Sequence, residues 1–537
     1  MKPDTLARFA APQGIGVGRA ARPALALAGV VALAAVARIW GLDRHSLWLD
    51  EAFSYHYSGL SLHDIWRAMP LYESHPPVYF TILKAWRAAF GDGEAAMRGL
   101  SVAAGTATVA LVYLLGRLAG GRRDGHRIGA FAALLFAISP LHLDFAQQAR
   151  PYALIILATA TTLCGVAWLL RHPAVARSPW LGLAAMRAHP RRAPLLRRGL
   201  AAWAATALGV AAALWLHDTV LVYAAALGLF GLWLAWRWGW PRSFVANLMI
   251  AGAAALALWL PFLPTFAVQL AGVSRAFWMP DLTWQAALAP VGFLMDVRFV
   301  RPLTAAPVLV LLALAGARGV AGRSGAPMAA LLIGVAVAGY GLMLLFCLLV
   351  QTVLVERTLI WMSVPLLVLV AAGVVGLERR ALRAASAVVV LGFSIWGALV
   401  FQLAYQREPW RDIAARIGGQ AVAGDVVVVM PNSLALPLAY YRDRLGDQVA
   451  VHAMPAAFPE ISPDRAYPTS VLAEPAFVRA DLPALDAAIA GAGSVWVITR
   501  LDDIFDPDRL VLGHMRQVRT ETEHWPVSGY LHVHRFR

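Results

Sequence analysis

Apolar residues run through this chain in long stretches divided by short polar breaks. The first stretch, Pro23 to Trp40, follows a tail carrying Lys2, Arg8, Arg19 and Arg22. At about 1.5 Å of rise per residue it is long enough to cross a bilayer. No small-residue cleavage site precedes Trp48, so it reads as an uncleaved first helix with its N-terminus in the cytoplasm. Further spans are expected at about 99–118, 128–143, 151–170, 200–215, 219–236, 244–264, 303–317, 326–350, 358–376 and 384–404, about 11 in all. Residues 76–90 are apolar but short, and they carry Lys84 and Arg87. They read as a helix at the membrane surface with Pro76 or Pro77 in its first turn. Leu62, Ile65, Trp66 and Met69 recur at helical spacing, so residues 61–72 read as a second interfacial helix. Residues 41–98 then form one large outer loop.

Composition agrees. At 60% hydrophobic and 14% charged, a chain of 537 residues is too apolar to be soluble. The net charge of +15 would suit nucleic acid if it formed one patch. Here the basic residues sit in short clusters between apolar runs, the positive-inside pattern, and nucleic acid is excluded as a partner. The pattern puts Arg117, Arg122, Arg123 and Arg127 inside, with the basic linker 171–199, Arg237, Arg242, Arg318, Arg323, Arg379, Arg380 and Arg383. Reading 76–90 as a full span would send that linker outside. Cys164 and Cys347 lie in apolar runs, with neither disulfide nor metal-ligand spacing. Gly14 to Gly18 follows no strand and reads as a tail, not a nucleotide loop. After Tyr405 the composition changes. Residues 424–430, 494–499 and 530–534 read as strands, with helical patterns near 482–490 and 506–517. The chain thus divides into a transmembrane domain, 1–404, and a small outer α/β domain, 405–537.

The same parity brings Asp50, His75, Asp144, Arg150 and Arg357 to one outer face. Asp50 and Glu51 are adjacent carboxylates at the rim of the first span. A charge pair there is costly against lipid, so both face water, protein, a metal or a substrate.

In order and spacing, Leu49-Asp50-Glu51-Ala52, His75-Pro76-Pro77-Val78-Tyr79, the stretch Ser139-Pro140 to Tyr152, Glu356-Arg357 and Glu408-Pro409-Trp410-Arg411 resemble the GT-C glycosyltransferases. The similar branch holds bacterial protein O-mannosyltransferases, aminoarabinose transferases and lipopolysaccharide-core galacturonosyltransferases. The resemblance runs through residue 411. It implies a polytopic α-helical membrane fold, a polyprenyl-phosphate sugar donor and inversion at the anomeric carbon. It also implies a lipid, glycan or protein acceptor of the cell envelope, met on the outer, periplasmic face of a bacterial cytoplasmic membrane. One departure stands out. Relatives commonly carry Gln-Glu-Ala-Arg where this chain has Gln147-Gln148-Ala149-Arg150, and Asp144, a turn earlier, is placed to supply the missing charge.

Such a transfer needs an activated acceptor oxygen and a stabilised phosphate. One carboxylate suffices as base, because no covalent intermediate forms. Asp50 is the expected base, and Glu51 its supporting acid or a metal ligand. Arg150 and Arg357 suit the donor phosphate, since guanidinium binds phosphate through two donors, or else they are snorkelling interfacial residues. His75 binds phosphate or sugar, ligates a divalent cation with Glu73 or the Asp50-Glu51 pair, or orders the Pro-Pro turn. The sequence fixes no cation. Tyr55 and Tyr152 are expected against sugar or lipid, or in an interfacial belt. His217-Asp218 reads as a loop at the outer rim. A transporter would place carboxylates mid-span and repeat itself internally. A catalytically degenerate assembly protein would work through its C-terminal domain, and Gln148 points that way.

Overall fold

The computed structural model describes residues 17–178, 193–275, 282–294, 302–460 and 474–537. The tail before residue 17, Arg187, Arg191 and Arg192 of the linker, and the side chain of Glu356 lie outside the described residues. Among the described residues, nine helices are long and apolar enough to cross a membrane. One of them, α5 (Glu94–Ile138), spans two of the expected spans. Gly121 breaks it at φ 66°, and the halves fold back on each other through glycines. A Cβ on Gly120 would lie 2.7 Å from the Cα of Gly125, so only glycine permits this approach. The two halves of α5, and the helix Ala193–Leu214, which is not among the nine, also lie at positions of expected spans.

The first outer loop is helical and packed. It follows α1 (Val17–Ile39) and holds α2 (Leu49–Gly59), α3 (Leu62–Arg67) and α4 (Val78–Phe90). Asp50 and Glu51 fall in the first turn of α2, where carboxylates complement the helix dipole. Ser61 caps α3 by accepting from the Asp64 N–H, and Pro77 stands at the start of α4, as its fixed φ favours. After α5 come α6 (Pro140–Ala146) and α7 (Tyr152–Arg171), with Gln147 to Pro151 between them.

The C-terminal part is a five-stranded sheet in the order β2-β1-β3-β5-β4. Strands β1 (Val426–Met430), β3 (Val495–Arg500) and β5 (Leu531–Phe536) match the expected ones. β2 (Ala450–Ala453) and β4 (Glu521–Pro526) carry too little apolar alternation to be read from sequence. β2 and β3 flank β1 in parallel, and β5 and β4 continue antiparallel. One face of the sheet buries Val427, Val429, Trp496 and Ile498 with Leu49 of α2 in the same apolar cluster. The sheet domain therefore docks on the residue before Asp50. Two hydrogen bonds tighten the joint: Leu47 N–H donates to Tyr441 Oη (2.7 Å), and Leu49 N–H to Glu408 Oε2 (3.3 Å).

Candidate active site

Adjacent residues of an α-helix point about 100° apart. Asp50 and Glu51 accordingly go to different places. Asp50 faces a polar cavity together with Glu73, His75, Arg150 and Arg357, and Glu474 and Arg500 close that cavity from the C-terminal domain. Glu51 turns into the protein and is fully buried. Its two oxygens take the Nε (2.8 Å) and Nη2 (2.7 Å) of Arg98, and Oε1 also accepts the Ala149 N–H (2.8 Å). Arg98 spends its other donors on the carbonyls of Leu42, His45 and Ser46. Glu51 thus ties the start of α2 to the turn that carries Arg150, and it does not line the cavity.

Within the cavity the groups form a chain. Glu73 Oε1 accepts from His75 Nδ1 at 2.5 Å, and Arg150 Nη2 donates to His75 Nε2 at 3.2 Å. That donation assigns the imidazole proton to Nδ1. Arg150 Nη1 donates to the Asp50 carbonyl at 3.2 Å, and Arg357 Nη1 reaches Asp50 Oδ2 at 3.4 Å. Burial would raise the Asp50 carboxyl, but the Arg357, Arg150 and Arg500 guanidiniums outweigh it and hold it below its usual range. Glu73 is likewise held low by His75 and Arg150 against burial.

A second cavity shares His75 and Arg357 with the first. Tyr152, His217 and Asp218 stand at its polar end, and Leu221, Phe266, Met343 and Phe346 line the rest. The His217 ring lies edge-on to His75 at 4.9 Å. Burial, helped by Glu73, raises Asp218 well above the usual carboxylate range. His217 and Asp218, expected only as a rim loop, therefore sit against the cavity.

Three expectations need correction. Asp144 is buried in an ion pair with Arg407 (2.7 Å) and accepts from Gln148 Nε2 (2.9 Å), so its charge is spent inside the scaffold and does not reach a cavity. Tyr55 lies under Arg87 (4.2 Å) and edge-on to Tyr440 (4.8 Å), where it joins α2, α4 and the C-terminal domain. The set Asp50, Glu51 and His75 does not converge as a cation site, because Arg98 and the Ala149 N–H engage the Glu51 oxygens. Among the described residues, the one group of three or more His, Cys, Asp or Glu with ligand atoms within 4.8 Å lies elsewhere.

Sequence patterning does not single out Arg98, Glu474 or Arg500 as residues of this site. Arg98 carried a signal, a lone cation leading into an apolar run. Glu474 and Arg500 carried none, since domain docking alone brings them to the cavity. Arg500 is oriented by Glu408 Oε1 at 2.9 Å. Burial pushes the Glu474 carboxyl up to about 7. Because this pKa is raised, Glu474 is neutral below it and adds negative charge to the cavity as pH rises through it. A bound anion would be repelled by that charge. Affinity of the cavity for an anion is therefore expected to fall between about pH 6 and 8, and Glu474→Gln to flatten the fall. A Gln variant that keeps the wild-type profile would remove Glu474 from the effect.

Residues 74–189 match the family model described as dolichyl-phosphate-mannose-protein mannosyltransferase. No curated protein matches by sequence. Among solved structures, the chain is similar to ArnT from Cupriavidus metallidurans in the apo state, with TM-score 0.56 and 14% identity over 94% of this chain and 97% of that one. ArnT bound to undecaprenyl phosphate aligns over the same shares with TM-score 0.51 and 14% identity. The Archaeoglobus fulgidus oligosaccharyltransferase in the apo form aligns with TM-score 0.54 and 12% identity, over 90% of this chain and 70% of that one. The long apolar helices, the helical outer loop and the docked sheet domain together share the fold of ArnT, and the chain is a multi-span membrane protein built on it.

Proposed function

We propose that this protein is an inverting glycosyltransferase. It moves a sugar from a polyprenyl phosphate to an envelope acceptor (lipid, glycan or protein) at the periplasmic face of a bacterial cytoplasmic membrane. The observation that carries the reading is the junction of the two cavities at His75 and Arg357. The apolar cavity suits a prenyl chain, the shared cations suit its phosphate, and the polar cavity beside Asp50 suits the sugar and the acceptor. Asp50 takes the acceptor hydroxyl proton as the oxygen attacks the anomeric carbon from the face opposite the phosphate. The bond from that carbon to the phosphate oxygen breaks, and the prenyl phosphate leaves as an anion held by Arg357 and Arg150. A phosphate on these arginines also lessens their pull on Asp50, which makes it a stronger base with donor bound. Glu73 fixes the His75 tautomer and so aims Nε2 toward Arg150.

Membranes from cells with and without the protein, supplied with a panel of undecaprenyl-phosphate sugars, test the reading. Protein-dependent consumption of one donor is expected, and consumption of none would overturn it. The same reading puts 405–537 outside and 171–199 inside. In a chain whose two native cysteines are buried, a cysteine at exposed Val422 should label from outside and one at exposed Arg122 should not.

Arg357 is the sharper test of the phosphate site. A charge-assisted hydrogen bond contributes about 1.5–3 kcal/mol, so Arg357→Ala should cost on the order of 10–100-fold, mostly in donor use. Arg357→Lys should fall between, keeping the charge but losing the fork. Unchanged donor dependence in a folded Ala variant would leave Arg357 as an interfacial anchor.

A further inference from the structure

The edge of the C-terminal sheet gathers three imidazoles and a carboxylate that the transfer reaction does not use. His524 on β4 pairs directly with His534 on β5, and His532 lies two residues from His534 on the same face. The His524 and His534 rings stack at 4.2 Å, 5° from parallel, and His524 Nε2 is 3.3 Å from His532 Nδ1. A bulge between Glu521 and Glu523 shifts the alternation of β4. Glu521, opposite Phe536, is thereby turned onto the face of His534, whose Nδ1 it meets through Oε1 at 2.8 Å. Its other oxygen takes Arg516 Nε at 2.8 Å, which fixes the carboxylate and leaves Oε1 directed at the imidazoles.

We propose that Glu521, His524 and His534, with His532 at the rim, form a site for a divalent transition-metal ion of the zinc class. Ligand atoms of the first three already lie within 4.8 Å of one another. A tetrahedral ion with bonds of about 2.0–2.2 Å needs them about 3.3–3.6 Å apart, a closure that side-chain rotation supplies. Imidazole with one carboxylate selects zinc, nickel or copper over magnesium or calcium, which prefer all-oxygen sets. Arg516 on the far carboxylate oxygen is the outer partner that such sites use to orient a ligand. The ion would join β4, the edge strand, to β5. It stands outside both cavities and serves the domain's stability, not the transfer.

The test uses the full chain in detergent, stripped with a chelator and titrated with Zn²⁺, with Mg²⁺ as competitor. Zinc is expected to bind at micromolar concentration or tighter, unaffected by Mg²⁺, and to raise the unfolding temperature. His524→Ala removes an exposed side chain, so the fold should survive. It should lose one equivalent of zinc, or weaken it at least 10-fold, and lose the thermal shift. Glu521→Gln should act likewise, whereas His63→Ala, an exposed histidine on α3, should bind as the wild type does. Zinc stoichiometry and affinity unchanged in both His524→Ala and Glu521→Gln would overturn the site. So would the lack of any zinc binding below about 1 mM.

Discussion

Asp50→Asn is expected to abolish transfer while leaving the protein expressed, inserted and folded. Removing a general base costs about 10²–10⁴-fold. The fold should tolerate the change, because the scaffold contacts at this position are backbone ones: the Asp50 carbonyl accepts from Arg150, and the neighbouring Leu49 N–H donates to Glu408. The side chain meets Arg357 at 3.4 Å and is partly open to the cavity. Asn keeps the size and the first-turn preference of Asp but cannot take a proton. Donor binding should change little or even tighten, since a negative charge beside the phosphate is removed. The loss should therefore appear in kcat, with the donor KM level or lower. Retention of more than about a tenth of wild-type turnover would take Asp50 out of the chemistry.

The sequence reveals the parts of this site that depend on where a residue lies along the membrane normal. The alternation of basic clusters puts Asp50, His75, Arg150 and Arg357 at one level, and all four line the polar cavity. The same reasoning cannot tell which way a side chain turns about its helix. Asp144, expected on the same face to supply the charge missing at Gln148, pairs with Arg407, a residue following the last span. Tyr55 is a residue from Ser54 and turned toward Tyr440. Charge parity also says nothing of what docks from outside. Glu474 and Arg500 enter the cavity because Leu49 and Phe53 pack into the apolar face of a distant sheet. Strands β1, β3 and β5 are apolar enough to read directly. β4 is an edge strand ending in Pro526, and its polar alternation looks like a loop.

The Arg98–Glu51 pair separates the two roles that neighbouring carboxylates take. Both side chains are almost wholly withdrawn from solvent, and they meet through two parallel hydrogen bonds. Breaking a buried pair by removing one partner costs about 3–5 kcal/mol, because the remaining charge is left unpaired. Against a typical total of about 5–15 kcal/mol, that empties much of the folded population. Arg98→Ala should be the harsher change, since it also strands the carbonyls of Leu42, His45 and Ser46. Glu51→Gln keeps an acceptor for the Ala149 N–H but leaves a buried guanidinium without its counter-charge. Both variants should yield little monodisperse protein on size exclusion in detergent, while each folded molecule turns over near the wild-type rate. An apolar pair of similar volume, Glu51→Leu with Arg98→Met, should recover more folded protein than Arg98→Ala, since both strand the three carbonyls but the single change also strands a charge. If Glu51→Gln instead folds as the wild type does and is inactive, Glu51 belongs with Asp50 in the chemistry, and its buried pairing with Arg98 does not persist through turnover.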